Sequence, residues 1–169
     1  MKQEREDEAP SADNPGILYG TWWHEFVQTI AWADSASWPR RFQESQAHSP
    51  DRERSAREWE LFRHSTLAGW LAEPGRLIQV EFPFLWREAT GAWIEGVMDL
   101  AVFSPSDSTW HVGDWKTNRI GSGGSNTVVV IYREQIRAYV RALRDILSME
   151  VRGSLYLTQT GEWIEIDDL

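Results

Sequence analysis

The chain has 169 residues, 41% hydrophobic and 25% charged, with a net charge of −9. That length suits one domain around one core, and eleven tryptophans offer large apolar surfaces to bury in it. The absence of cysteine excludes disulfides, zinc–thiolate sites and an iron–sulfur cluster; the acidity argues against coating nucleic acid by electrostatics alone, although a bound cation reverses the local sign of a carboxylate cluster.

The opening MKQEREDEAP holds no apolar leader, and no later run is long enough to cross a bilayer. The expectation is a soluble, cytoplasmic protein with no membrane segment. A disordered polar tail is expected over residues 1–15, ahead of one domain over 16–169.

In chain order, the periodicity predicts a first helix over about Leu18–Ala33, with Trp23, Phe26, Val27 and Ile30 on one face and His24 at its edge. A short helix and loop follow to about Asp51, with Ser37 as a candidate cap. A second long helix is predicted over Ser55–Leu71, stopped by EPG. Three strands come next, Leu77–Trp86, Trp93–Phe103 and Trp110–Thr117, and their short turn-rich connections predict an antiparallel meander. The GSGGSN stretch reads as a mobile loop. A third long helix spans Val130–Ser148, and two closing strands flank the turn TG. The fold class is therefore α/β, with helices packed on a central mixed sheet.

The chemistry concentrates in Asp99 and in Asp114-Trp115-Lys116. Alternation along a strand puts Asp114 and Lys116 on one face, and a suitable hairpin register sets Asp99 beside Asp114. Two carboxylates on a small patch repel unless a cation lies between them, and a hard divalent ion with oxygen ligands meets that need. Asp-x-Lys by itself also occurs on ordinary exposed sheet faces. His24 taken alone reads sooner as a hydrogen-bonded helix-edge histidine than as a ligand. Gln135 and Tyr139 are four residues apart and share a helical face. Arg133, Arg137, Arg141 and Arg144 fall on the opposite flank of that helix, a solvated or partner-docking stripe, whereas Arg119 follows the Asp114 strand and is better placed to touch a phosphate.

The ordered set GTWWHEFV, EFPF, GVMDL, DWKT and QIRAY resembles the PD-(D/E)XK nucleases, and within them the RecB-like exonuclease domains of AddA/RecB-type helicase–nucleases, over roughly Leu18–Ile166. The resemblance implies a restriction-endonuclease-like core. It implies a metal-dependent DNA nuclease, an exonuclease acting in double-strand-break repair and recombination. His24, Asp99 and Asp114 would ligate Mg2+, for which Mn2+ could substitute, with the Trp115 carbonyl completing the site. Lys116 would orient the attacking water, and Gln135 and Tyr139 would support site and DNA. Glu81 would assist from behind the ligands, or simply pair with an arginine. Asp114 stands where many members carry glutamate, as is usual in the RecB-like branch. Partners implied are DNA and a helicase domain or subunit, since the chain has no Gly-rich Lys motif of an NTPase. A different reading is a catalytically silent nucleic-acid-binding or helicase-docking module on the same fold.

Overall fold

The computed structural model describes residues 14–166, so all but the last two residues of the expected tail lie outside the described residues. Those two already belong to the fold. Asn14 caps helix α1 (Pro15–Gln28) by accepting a hydrogen bond from the Gly16 amide at 2.9 Å, and Pro15 occupies the first turn, where its missing N–H costs nothing. A single 3-10 turn (Ser35–Ser37) leads into α2 (Trp38–Gln46). Ser37 stands at the N-cap of α2 but does not cap it: its hydroxyl donates backwards to the Asp34 carbonyl at 2.7 Å.

The predicted second long helix is two helices, α3 (Arg52–Arg63) and α4 (Thr66–Leu71). Ser65 causes the break, because its side chain accepts from the Ala68 amide and starts a new helix. The strands are β1 (Leu77–Arg87), β2 (Trp93–Ser104) and β3 (Thr109–Lys116). Helix α5 (Gly124–Leu147) begins inside the expected Gly/Ser loop, and β4 (Val151–Leu157) and β5 (Glu162–Glu165) close the chain. The sheet runs β1-β2-β3-β4-β5. Its pairs are antiparallel except β3–β4, which is parallel and connected through α5. The fold is thus α/β, a five-stranded mixed sheet flanked by helices. Among the described residues no helix is long and apolar enough to cross a membrane.

Each face of the sheet has its own core. Helices α1–α4 bring an aromatic mass, including Trp23, Phe26, Trp59 and Phe62, against Leu100, Val102, Trp115 and Tyr156. Helix α5 packs Ile136, Val140 and Leu143 against Met98, Val112, Leu155 and Leu157. Two of the four stripe arginines bind locally: Arg137 to Glu134 at 2.7 Å, and Arg144 to the Val151 carbonyl at 3.1 Å.

The β1–β2 hairpin serves both cores by turning over midway. Ile78, Val80, Leu100 and Val102 pack with α1–α4, while Phe82, Phe84, Ile94 and Met98 pack with α5. All eight are even-numbered, so a regular pleat would put each strand's four on one face. The switch comes at Glu81, whose φ is +49°, and at Asp99 opposite it. Neither takes part in the ladder, although the flanking pairs Val80–Leu100 and Phe82–Met98 do. Beyond that point β2 and β3 also separate: their pairing stops at Leu100–Gly113, while β3 stays paired to β4 as far as Lys116. The sheet forks, and one arm of the fork is the outer half of the hairpin.

Phe62 is 1% exposed and its ring meets those of Trp32, Trp38, Trp59, Trp115 and Tyr156. Phe62→Ala is expected to cost about 3–5 kcal/mol, read as a lowered urea midpoint with an unchanged slope.

Candidate active site

The crotch of the fork gathers the residues singled out in the sequence. Trp115 faces the aromatic core and stacks on Trp32 at 6.2 Å, so alternation turns Asp114 and Lys116 toward α5. Lys116 Nζ lies 2.5 Å from Asp114 Oδ2, 3.3 Å from Gln135 Oε1 and 3.8 Å from the centre of the Tyr132 ring. Gln135 Nε2 donates to Asp114 Oδ1 at 3.3 Å and to the Tyr139 hydroxyl at 2.8 Å. Gln135 and Tyr139 therefore reach the same site from one face of α5.

On the other side of the fork, Asp99 Oδ2 accepts the Trp115 amide at 2.9 Å and lies 3.6 Å from His24 Nδ1. A side-chain oxygen thus takes the amide that a neighbouring strand would otherwise have bonded. Donor atoms of His24, Glu81 and Asp99 lie within 4.8 Å of one another. Asp114 lies near enough for its charge to act on both Asp99 and His24 but makes its contacts with Lys116 and Gln135. Of the three expected ligands, the fold joins His24 with Asp99 and sets Asp114 next to them. Glu81, expected behind the ligands, stands in the group itself and makes no ion pair with an arginine among the described residues.

Electrostatics favours a cation here. Burial is the largest cause raising Asp99 to about 7, and repulsion from Asp114 adds to it. Burial likewise raises Asp114 against the pull of Lys116. Burial holds His24 below its ordinary value, offset by Asp114, Glu81 and a hydrogen bond to the Trp115 backbone. The imidazole is therefore a neutral donor, and three carboxyl groups share one ammonium. The donor set fits a hard divalent ion: bonds of about 2.1 Å put octahedral ligands roughly 3 Å apart when adjacent and roughly 4.2 Å when opposite, a small closure from the present spacing. The imidazole also suits divalent first-row transition metals.

Compared with protein-family models the chain matches none, and no curated protein matches it.

Sequence reasoning missed the groups that hold the site in place. Arg54 is buried among Glu58, at 2.6 Å, the Tyr19 ring, at 3.7 Å, and the Thr117 carbonyl, at 2.5 Å. The Tyr19 hydroxyl donates to Glu58 at 3.0 Å. This network ties α1 and α3 to the backbone just after Lys116. A Cβ on Gly20 would come within 3.0 Å of Thr117 Oγ1, and one on Gly96 within 2.8 Å of the Phe84 ring. Phe84 in turn meets Tyr139 edge to face at 5.7 Å. The i, i+4 spacing of Arg54 and Glu58 was a readable signal; the contacts of the two glycines had none.

Neutralising Asp99 should separate folding from metal binding. At pH 8, above the value of about 7 to which its pKa is pushed, the charged form works against the folded state. Asp99→Asn should therefore raise Tm in EDTA while abolishing any Tm increase produced by Mg2+ or Mn2+. A lower Tm in EDTA together with an intact metal response would contradict this account.

Proposed function

We propose that the chain hydrolyses DNA phosphodiester bonds with the help of a divalent cation, Mg2+ with Mn2+ able to replace it. The observation that carries this reading is the meeting of His24, Glu81, Asp99 and Asp114 in one fork beside a lysine. The ordered motifs that resemble the PD-(D/E)XK nucleases support it, and the RecB-like branch is the member group proposed.

His24 and Asp99 would hold the cation, together with Asp114 or Glu81. When bound, it supplies Lewis acidity: water ionises more readily at neutral pH, and charge gathering around phosphorus is offset. The chain's own groups do the positioning. The Trp115 amide fixes Asp99 by its hydrogen bond. Gln135 orients Lys116 and Asp114 at once, since its amide oxygen meets the ammonium and its nitrogen the carboxylate. Lys116, held by Asp114 and Gln135, would offer a cationic hydrogen-bond donor to the attacking water or to a non-bridging phosphate oxygen. Attack on phosphorus breaks the P–O3′ bond and leaves a 5′-phosphate and a 3′-hydroxyl.

In a cell we place this activity in the cytoplasm, as the exonuclease part of a helicase–nuclease in double-strand-break repair, fed its DNA by a helicase domain or subunit. A chain with net charge −9 gains little affinity for DNA from its overall field, which is a physical reason for such a feeder.

The test is degradation of labelled linear DNA, single- and double-stranded, by the purified chain with Mg2+, Mn2+ or EDTA. Asp114→Ala and Lys116→Ala should each reduce the metal-dependent rate by about a hundredfold or more, and Tyr139→Phe by about tenfold or less. Tight DNA binding without cleavage, indifferent to the first two substitutions, would point instead to a silent binding module.

A further inference from the structure

The outer half of the β1–β2 hairpin presents an apolar face to solvent in continuity with the carboxylate cluster. Phe82, Phe84, Trp86, Ile94 and Met98 pack against α5, so the alternating residues form the opposite face. The pairs on that face are Pro83–Val97, Leu85–Glu95 and Arg87–Trp93. They lead outward from Glu81 and Asp99, rung by rung. Trp93 is 64% exposed, Leu85 60% and Val97 43%, and the Arg87 guanidinium stands 5.9 Å from the Trp93 ring centre. A tryptophan this open is costly on a protein that buries most of its other tryptophans, and contiguous exposed apolar surface of this kind marks a binding site.

The arm is rigid. The Trp86 indole donates to Asp145 of α5 at 2.9 Å, and Phe84 packs on Tyr139. The backbone that carries Trp93 and Leu85 is therefore anchored to α5 through its inner face, which lowers the entropic cost of association.

The surface that follows β3 is different in character. Next to Lys116, a cleft of about 690 Å³ is lined by Asn14, Gly20, Arg54, Thr117, Asn118 and Arg119, among others. No carboxylate lines it among the described residues, although the chain is acidic overall. Of the two described arginines that line it, Arg54 is already engaged and Arg119 is exposed, so Arg119 can meet a ligand's negative charge. The hairpin arm thus offers aromatic and aliphatic surface leading out from Glu81 and Asp99, while the cleft begins at Thr117, next to Lys116, and holds a guanidinium with no carboxylate among its described lining residues.

We infer that the fork is the path of a single nucleic-acid strand, with bases stacked on the hairpin arm about Trp93 and Leu85, and backbone phosphates turned to the Arg119 cleft. The inference rests on the phosphodiesterase reading of the cluster and names its substrate as single-stranded. Unpaired bases expose the π-faces that an aromatic platform recognises, whereas a duplex keeps them stacked inside. Glu95, on the same face as Trp93, repels phosphate and so favours bases over backbone on that wall. Trp93 is six residues along β2 from Asp99, about 20 Å at about 3.4 Å per residue, room for a few nucleotides.

The experiment is fluorescence anisotropy with the full chain, Ca2+ replacing Mg2+ to prevent turnover. The probes are a labelled oligothymidylate about a dozen nucleotides long and a blunt duplex of equal length. The oligothymidylate should bind more tightly. Trp93→Ala should weaken it about tenfold, within the range of one lost base stack, and change duplex binding by less than about twofold. Arg119→Gln should lower the slope of log affinity against log salt by about 0.7, the loss of one phosphate contact to a single strand. Because both side chains are exposed, Tm should not move. Preference for the duplex, or single-strand affinity unmoved by Trp93→Ala, overturns the inference, and so does equal weakening of both probes. A hairpin arm that serves only to dock a protein partner would appear as the second of these. The two readings fail separately: cleavage that ignores Trp93 removes the strand path alone, and stacking without cleavage under any metal removes the reaction alone.

Discussion

One hydrogen bond organises the site: the Trp115 amide donates to the Asp99 carboxylate across the opening between β2 and β3. A sheet that simply ended its pairing there would leave an amide to be satisfied by water. Here a side chain takes the amide, and in doing so is held beside His24. The same oxygen faces both the amide and the imidazole, so the backbone of one strand sets the position of a charged group on another. Repulsion opposes this. Three carboxyl groups converge with a single ammonium to balance them, and burial makes each charge more costly. The arrangement is the kind that a fold tolerates only when the rest of the structure over-determines it.

The over-determination comes from both cores. Trp115 is locked by Trp32, Phe62 and Tyr156 on the helical side, so its neighbours in sequence have no freedom to turn inward. On the other side, the contact of Gly96 with Phe84 lets that ring sit beneath Tyr139, and Tyr139 fixes Gln135. Gln135 then sets Lys116 and Asp114 together. Arg54, Glu58 and Tyr19 clamp the chain at Thr117. Their burial is costly unless partners are present, and here both Glu58 oxygens are bonded and Arg54 donates to Glu58 and to the Thr117 carbonyl.

The fork also reconciles an acidic chain with an anionic substrate. Overall charge repels phosphate, and the carboxylate cluster would do so strongly without a cation. Two surfaces divide the remaining work by chemistry: the hairpin arm exposes Trp93, Leu85 and Val97, and the cleft after β3 carries Arg119 with no carboxylate among its described lining residues. The expected arginine stripe on α5 takes no visible part in the site, and two of its members are bound to neighbours on the protein.

The sequence alone was enough for what depends on short-range pattern. Alternation put Asp114 and Lys116 on one face, the i, i+4 spacing put Gln135 and Tyr139 together, and apolar pattern located every strand to within about two residues, whereas the first helix ends five residues before the expected Ala33 and the last begins six before the expected Val130. It failed where a single polar side chain decided the local backbone, as when Ser65 split one predicted helix in two, and where glycines and small polar residues after Gly123 joined α5 because its apolar face had a sheet to cover. Tertiary structure alone decided that Glu81 stands with His24 and Asp99, because that follows from a hairpin turning over between two cores. It alone decided that β2 and β3 part at Asp99, since a fork is a property of where two distant layers pull two adjacent strands. Local pattern fixes which way a side chain points from its own strand; only packing fixes which other strands, and which charges, it meets there.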